Sequence, residues 1–170
     1  MARSRASSPP AGKRSQRSPL SDATGDIAAL WFLVRRVDAL MDRAGEALYR
    51  DGLGISLAQF LVLSVVDAYP GEINQQAVAD RLALTKGTVS RQIDSAVAAG
   101  LMTVAVSPRS RREHVVTLTP LGTELVRKGD ALLDDSMTDG IAELDARDLA
   151  ATIRTLGALN TAMGGSPLEV

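Results

Sequence analysis

A chain of 170 residues with 45% apolar side chains is long enough to bury a core and too apolar to be disordered throughout. It has no cysteine and a single histidine, His114, which excludes disulfides, thiolate metal sites, thiol redox switches and a multi-histidine metal site within one subunit. The formal net charge of −1 hides a strongly uneven distribution.

Residues 1–25 hold Arg3, Arg5, Lys13, Arg14 and Arg17 against Asp22 alone. The middle of the chain holds Arg81, Lys86, Arg91, Arg109, Arg111 and Arg112 against Asp80, Asp94 and Glu113. After residue 129 the acids dominate, from Asp130 to Asp148. Local charge, not the total, sets the field that a charged partner meets. No apolar run approaches the roughly 20 residues that span a bilayer, and the N-terminal charges lack the apolar stretch of a secretory signal. The expected location is cytoplasmic, with no membrane partner.

Residues 1–25, rich in Ser, Pro, Arg and Ala, are expected to form a disordered basic arm. The first helix is predicted from about Asp26 to Arg50, with Ile27, Leu30, Val34, Val37, Met41, Ala44 and Leu48 on one face. Trp31, Phe32 and Leu33 widen that stripe beyond what one flank of a small core uses. It fits partner helices from a second subunit, and it fits a long core helix. Ser56 caps a helix from Leu57 to about Ala68, apolar nearly all round and stopped by Pro70-Gly71.

Two short helices follow, in a tight succession. Glu72-Ile73 reads as a short extended segment. Asn74 caps a helix that turns Val78, Ala79 and Leu82 inward. Thr85 caps the next, with Val89, Ile93, Ala96 and Val97 inward. The opposite face carries Gly87, Arg91 and Asp94, flanked by Lys86, Thr88, Ser90 and Ser95. Gly100 ends that helix. Leu101–Val106 is predicted as a strand, Ser107–Glu113 as a tip with three arginines in four positions, and Val115–Leu118 as the return strand. Two helices and a β-ribbon in this order make a helix-turn-helix with a wing, a design for entering DNA grooves. Small residues near the start of the second helix let the backbone approach base edges. Hydroxyls and cations there suit phosphates and guanine acceptors. Arginines on the ribbon suit the neighbouring minor groove.

Thr119-Pro120 starts a helix to about Gly140, continuous or broken near Gly129. A last helix runs from Asp145 to before Gly164.

The chain resembles the MarR family of bacterial transcription regulators over about residues 26–163. The resemblance is carried by three segments: Leu82–Asp94, Ala99-Gly100-Leu101, and Pro108–Arg112 running into Val116–Gly122. It implies a mainly α, winged helix-turn-helix fold (α+β). A DNA-binding domain at 56–119 would lie between dimerisation helices at 26–55 and 120–170. It implies a homodimer that binds double-stranded DNA at a palindromic operator, acting as a repressor that responds to a small aromatic or phenolic effector. Thr85, Lys86, Gly87, Thr88, Ser90, Arg91 and Ser95 would form the reading helix's DNA face. Arg109, Ser110, Arg111 and Arg112 would form the wing's, with Asp94 orienting Arg112. The family usually has an aspartate where Ser107 stands and another at Ser110; losing both counter-charges implies a more mobile tip or one drawn more strongly to phosphate.

The effector pocket implied by the family draws on the first, second and fifth helices. Trp31, Arg35 and Phe60 are candidates by type, since aromatic walls and one cation suit an aromatic carboxylate. Ordinary core is the other reading of Trp31 and Phe60. The alternative function is a winged-helix protein-interaction module without an operator of its own. No nucleophile set, phosphate-cradling loop or metal cluster is legible, so neither enzymatic activity nor a cofactor is expected.

Overall fold

The computed structural model describes residues 19–69, 71–107, 110–141 and 144–165, with side chains from Gly25 on except those of 110–112 and 138–141. Elements follow the order α1 (Pro19–Leu53), α2 (Leu57–Asp67), β1 (Ile73–Asn74), α3 (Gln75–Arg81), α4 (Lys86–Ala98), β2 (Met102–Ser107), β3 (Ser110–Leu118), α5 (Pro120–Ile141) and α6 (Ala146–Ala162). The strands form one antiparallel sheet in the order β1-β3-β2. This is the expected winged helix: mainly helical, with a small sheet.

Helix α1 starts at Pro19, well before the predicted Asp26, so residues 19–25 are helical and not part of an irregular arm. Proline at a first helical position has its φ already set and gives up an N–H that no helical carbonyl would accept. The earlier residues of the predicted arm lie outside the described ones.

The chain divides into two compact units, one ending at Met41 and the other beginning at Asp42. In the first, Ile27, Trp31, Phe32, Leu33, Val37 and Met41 are all exposed. The second is built around α2. Val62 and Leu63 are inaccessible, and they join Ile73, Val78, Ala79, Val89, Ile93, Leu101, Met102, Val116 and Val126 in one core drawn from α2 to α5. Helix α2 is apolar nearly all round, and one of its apolar side chains, Leu61, is 39% exposed.

Capping follows the predicted residues. Ser56 Oγ accepts the Gln59 N–H at 3.2 Å, and Asn74 Oδ1 accepts that of Ala77 at 2.9 Å. Asp145 Oδ1 accepts the Arg147 N–H at 2.8 Å. A further cap reaches α2 from α1: Glu46 Oε2 accepts the Leu57 N–H at 2.9 Å, while its other oxygen pairs with Arg50. Arg50 first, and then the Leu57 amide, hold the Glu46 carboxyl below its ordinary value.

Helix α5 is continuous through Gly129. That glycine is buried where the Phe60 ring passes, and a methyl group there would collide with the ring. It is a contact point between α2 and α5, not a break. Phe60 in turn stacks on Tyr49, with centroids 3.9 Å apart and planes at 17°. Burial, and then Asp130, raise the Tyr49 phenol. Asp130 is itself raised, by desolvation first and then by Asp67 and Asp134. A raised carboxyl is destabilising when ionised, at pH above its folded-state value, and the cost disappears as pH falls through that value. Asp130→Asn is therefore expected to raise the melting temperature at neutral pH, with the gain fading in acid. Parallel thermal melts of the two proteins across pH would show it; an unchanged or lowered midpoint at neutral pH contradicts it.

Candidate nucleic-acid interface

Helices α3 and α4 meet through a turn in which the Leu84 N–H reaches back to the Ala79 carbonyl at 2.9 Å. The turn places Ala83 at φ 51°, a left-handed conformation that a residue with a Cβ adopts only where the surroundings impose it. Thr85 caps α4: its Oγ1 accepts the Thr88 N–H at 3.2 Å and lies 2.9 Å from the Thr88 hydroxyl.

The apolar face of α4 fixes how the helix is rotated. Val89, Ile93 and Ala96 are inaccessible. Val97, predicted to point inward, is 39% exposed, because it sits about 80° round the helix from Val89. With that face buried, Lys86, Gly87, Arg91, Asp94 and Ser95 are exposed, and Thr88 and Ser90 are half-buried beside them. The structure thus gathers the predicted reading-helix residues, including Thr85, on one accessible side. Among the described residues no ion pair engages Arg91.

The ribbon departs from expectation. Its second strand begins at Ser110, not Val115, so the predicted tip of Ser107–Glu113 contracts to the two residues between the strands. The ladder runs regularly from Met102↔Leu118 to Val106↔His114, and then jumps to Ser107↔Ser110. Residues 111–113 have no partner opposite, which is a bulge of three residues in β3. Poor strand formers are tolerated because the bulge frees them from the ladder. Arg111 and Arg112 therefore lie on the bulged strand, with side chains outside the described residues, as is that of Ser110; Arg109 lies outside altogether. The Asp94–Arg112 pairing falls outside with them, and Asp94 itself is exposed.

Ser107, where the family's aspartate is missing, is only 5% exposed. Its hydroxyl donates to Glu72 Oε2 at 3.4 Å. The end of β2 is therefore linked to a carboxylate from the segment before β1. No local pattern announces a partner 35 residues away in sequence. An aspartate at 107 would place a second carboxylate at a buried position within reach of Glu72, which is itself exposed. Ser107→Asp is expected to lower stability by about 1–3 kcal/mol, and Ser107→Asp combined with Glu72→Gln to recover most of it. Thermal melts of the three proteins check this; equal losses in the single and double variants would remove Glu72 from the explanation.

Between the ribbon and the starts of α3 and α4 lies a groove of about 490 Å³, lined by Asn74, Gln75, Gln76, Lys86, Val104, Glu113 and His114. The effector candidates are divided between the two compact units. Phe60 is core, stacked on Tyr49. Trp31 is 56% exposed on the N-terminal unit, where Arg35 pairs with Asp38 at 3.4 Å. Among the described residues no group of three or more His, Asp or Glu side chains is placed to hold a metal, and no single helix is long and apolar enough to cross a membrane.

Residues 53–113, the turn before α2 through to the ribbon, match the sequence model of the MarR family. This winged segment is similar to the MarR family. Solved structures share its fold over more of the chain. A MarR/EmrR family transcriptional regulator from Acinetobacter sp. ADP1 superposes with a TM-score of 0.72 at 19% identity, covering 82% of this chain and 96% of the other. CouR from Rhodococcus jostii RHA1, crystallised with p-coumaroyl-CoA, gives 0.70 at 20% identity, covering 76% and 90%. MepR from S. aureus, in complex with DNA, gives 0.68 at 19% identity, covering 78% and 96%. No curated protein matches the chain. The matched segment contains α2 to α4 and most of the ribbon, the elements that carry the exposed face of α4 and the bulged arginines.

Proposed function

We propose that this protein is a DNA-binding transcription regulator, a homodimeric repressor that reads a palindromic operator and releases it when a small aromatic or phenolic ligand binds. The observation that carries the reading is the rotation of α4. Its apolar side is sealed in the core, and Thr85, Lys86, Gly87, Thr88, Ser90, Arg91 and Ser95 are left accessible beside a ribbon with two arginines on its bulge. Small residues, hydroxyls and cations on a helix beside a basic ribbon are the chemistry of groove reading and phosphate contact.

Dimerisation is supported by exposed apolar side chains on both terminal helices. Ile27 is 67% and Phe32 74% exposed on α1, and Leu149, Ile153 and Leu156 are exposed on α6, which has no buried residue at all. A second copy would cover such surfaces. The helices flanking the winged domain then set the spacing of two half-sites at about one helical turn. The DNA complex of MepR and the p-coumaroyl-CoA complex of CouR support DNA and a phenolic ligand as the partner classes.

The test is a gel-shift titration with an operator selected from a random pool, alongside sedimentation of the free protein. A mass of two chains and tight operator binding are expected. Arg111→Ala should weaken operator and random DNA alike and flatten the salt dependence by about one unit of slope. A chain that sediments as a monomer, or an operator affinity indifferent to both Arg91→Ala and Arg111→Ala, contradicts the proposal.

A further inference from the structure

Resting on the regulator reading above, the geometry points to the groove between the ribbon and the starts of α3 and α4 as the channel for one strand of the duplex, with Glu113 limiting how tightly that strand is held. A helix in the major groove and a ribbon in the adjacent minor groove have a sugar–phosphate strand between them, because that strand is the wall dividing the two grooves. In this chain a cavity of about 490 Å³ opens beside those elements, with Lys86 at the first residue of α4 and Gln75 and Gln76 at the start of α3 on one side, and Val104, Glu113 and His114 of the ribbon on the other.

The polar groups of the groove are not equivalent. Gln76 Nε2 already donates to Asp80 at 2.8 Å, and Asn74 Oδ1 is held by the Ala77 N–H. Lys86, Gln75 and His114 have donors that no described hydrogen bond uses, and the Asn74 amide nitrogen adds to them. Val104, 39% exposed, offers an apolar spot for a deoxyribose. Glu113 is exposed and makes no ion pair among the described residues. In a regular strand Glu113 and His114 would point to opposite faces. Here Glu113 is the last residue of the bulge, and both residues border the groove. A carboxylate is thereby held beside the path of an anionic strand, where it opposes Lys86. Its effect is to weaken binding to any duplex equally, since phosphates carry no sequence.

The experiment is fluorescence anisotropy of the full chain with a labelled random-sequence duplex of about 30 base pairs, over a series of salt concentrations. Glu113→Gln is expected to tighten binding by about two- to fivefold at moderate salt, and by more at low salt. A gain of affinity is not something that misfolding produces. His114→Ala and Gln75→Ala should each weaken binding by about two- to fivefold, without altering preference for a selected operator. Unchanged or weaker binding by Glu113→Gln overturns the inference. So does normal binding by both His114→Ala and Gln75→Ala while Arg91→Ala is still impaired on the operator, and in that case the regulator reading stands. Failure of the unaltered chain to bind any duplex at low salt sinks both.

Discussion

Arg91→Ala is expected to reduce the preference for the operator over random duplex by about 5- to 150-fold, the equivalent of losing one bidentate base contact worth roughly 1–3 kcal/mol. The side chain stands on the exposed face of α4, one turn in from Gly87, where the backbone can come close to base edges. No carboxylate among the described residues engages it, so its guanidinium keeps its donors for a guanine. Competition titrations with operator and random duplexes separate the outcomes. A loss confined to the operator assigns Arg91 to base reading. An equal loss on both would make it a phosphate contact and move sequence reading to Thr88 and Ser90.

The second large effect is expected at Gly122. The end of α4, the start of β2 and the start of α5 are laced together there. The Thr119 hydroxyl donates to the Gly100 carbonyl at 2.7 Å and accepts the Gly122 N–H at 3.1 Å, while the Thr119 N–H donates to the Leu101 carbonyl at 3.0 Å. A methyl group on Gly122 would run into that Leu101 carbonyl oxygen. The obstacle is backbone held at both ends, so it cannot swing aside as a side chain would. Gly122→Ala is expected to cost about 1–3 kcal/mol and to lower the melting temperature by about 2–12 °C. Gly87→Ala is the matched control, since nothing lies within 4 Å of a methyl group there. It should leave stability unchanged or raise it by up to about 1 kcal/mol, yet weaken operator binding by holding the helix start away from the bases. If Gly122→Ala melts like the parent, the junction is softer than its hydrogen bonds imply. If Gly87→Ala binds the operator normally, close backbone approach is not part of recognition.

The two variants also separate the kinds of information in the chain. The helix starts at Ser56, Asn74, Thr85 and Asp145 were legible because a cap is a contract between residues two or three apart, and the apolar spacing behind each names the side that goes inward. Those same signals located the buried and exposed faces of α4 to within one residue, the exception being Val97 at the edge of the apolar stripe. Pro19 as a helix start was missed because the residues behind it lack the apolar period that marked Ile27 onward.

What the sequence determined by itself, then, was the order of elements, the winged helix-turn-helix and the family resemblance, all of which rest on short-range chemistry. Only the tertiary structure decided how those elements use their residues. The bulge at 111–113 depends on how two strands pair across the ribbon. The Ser107–Glu72 tie joins segments far apart in the chain. The burial of Gly129 and Gly122 reflects Phe60 and Leu101 arriving from other elements. Phe60, a ligand candidate by residue type, became a core ring because Tyr49 stacks on it. Residue type states what a side chain is able to do. Which neighbour meets it is set by packing between distant segments, and no local pattern encodes that meeting.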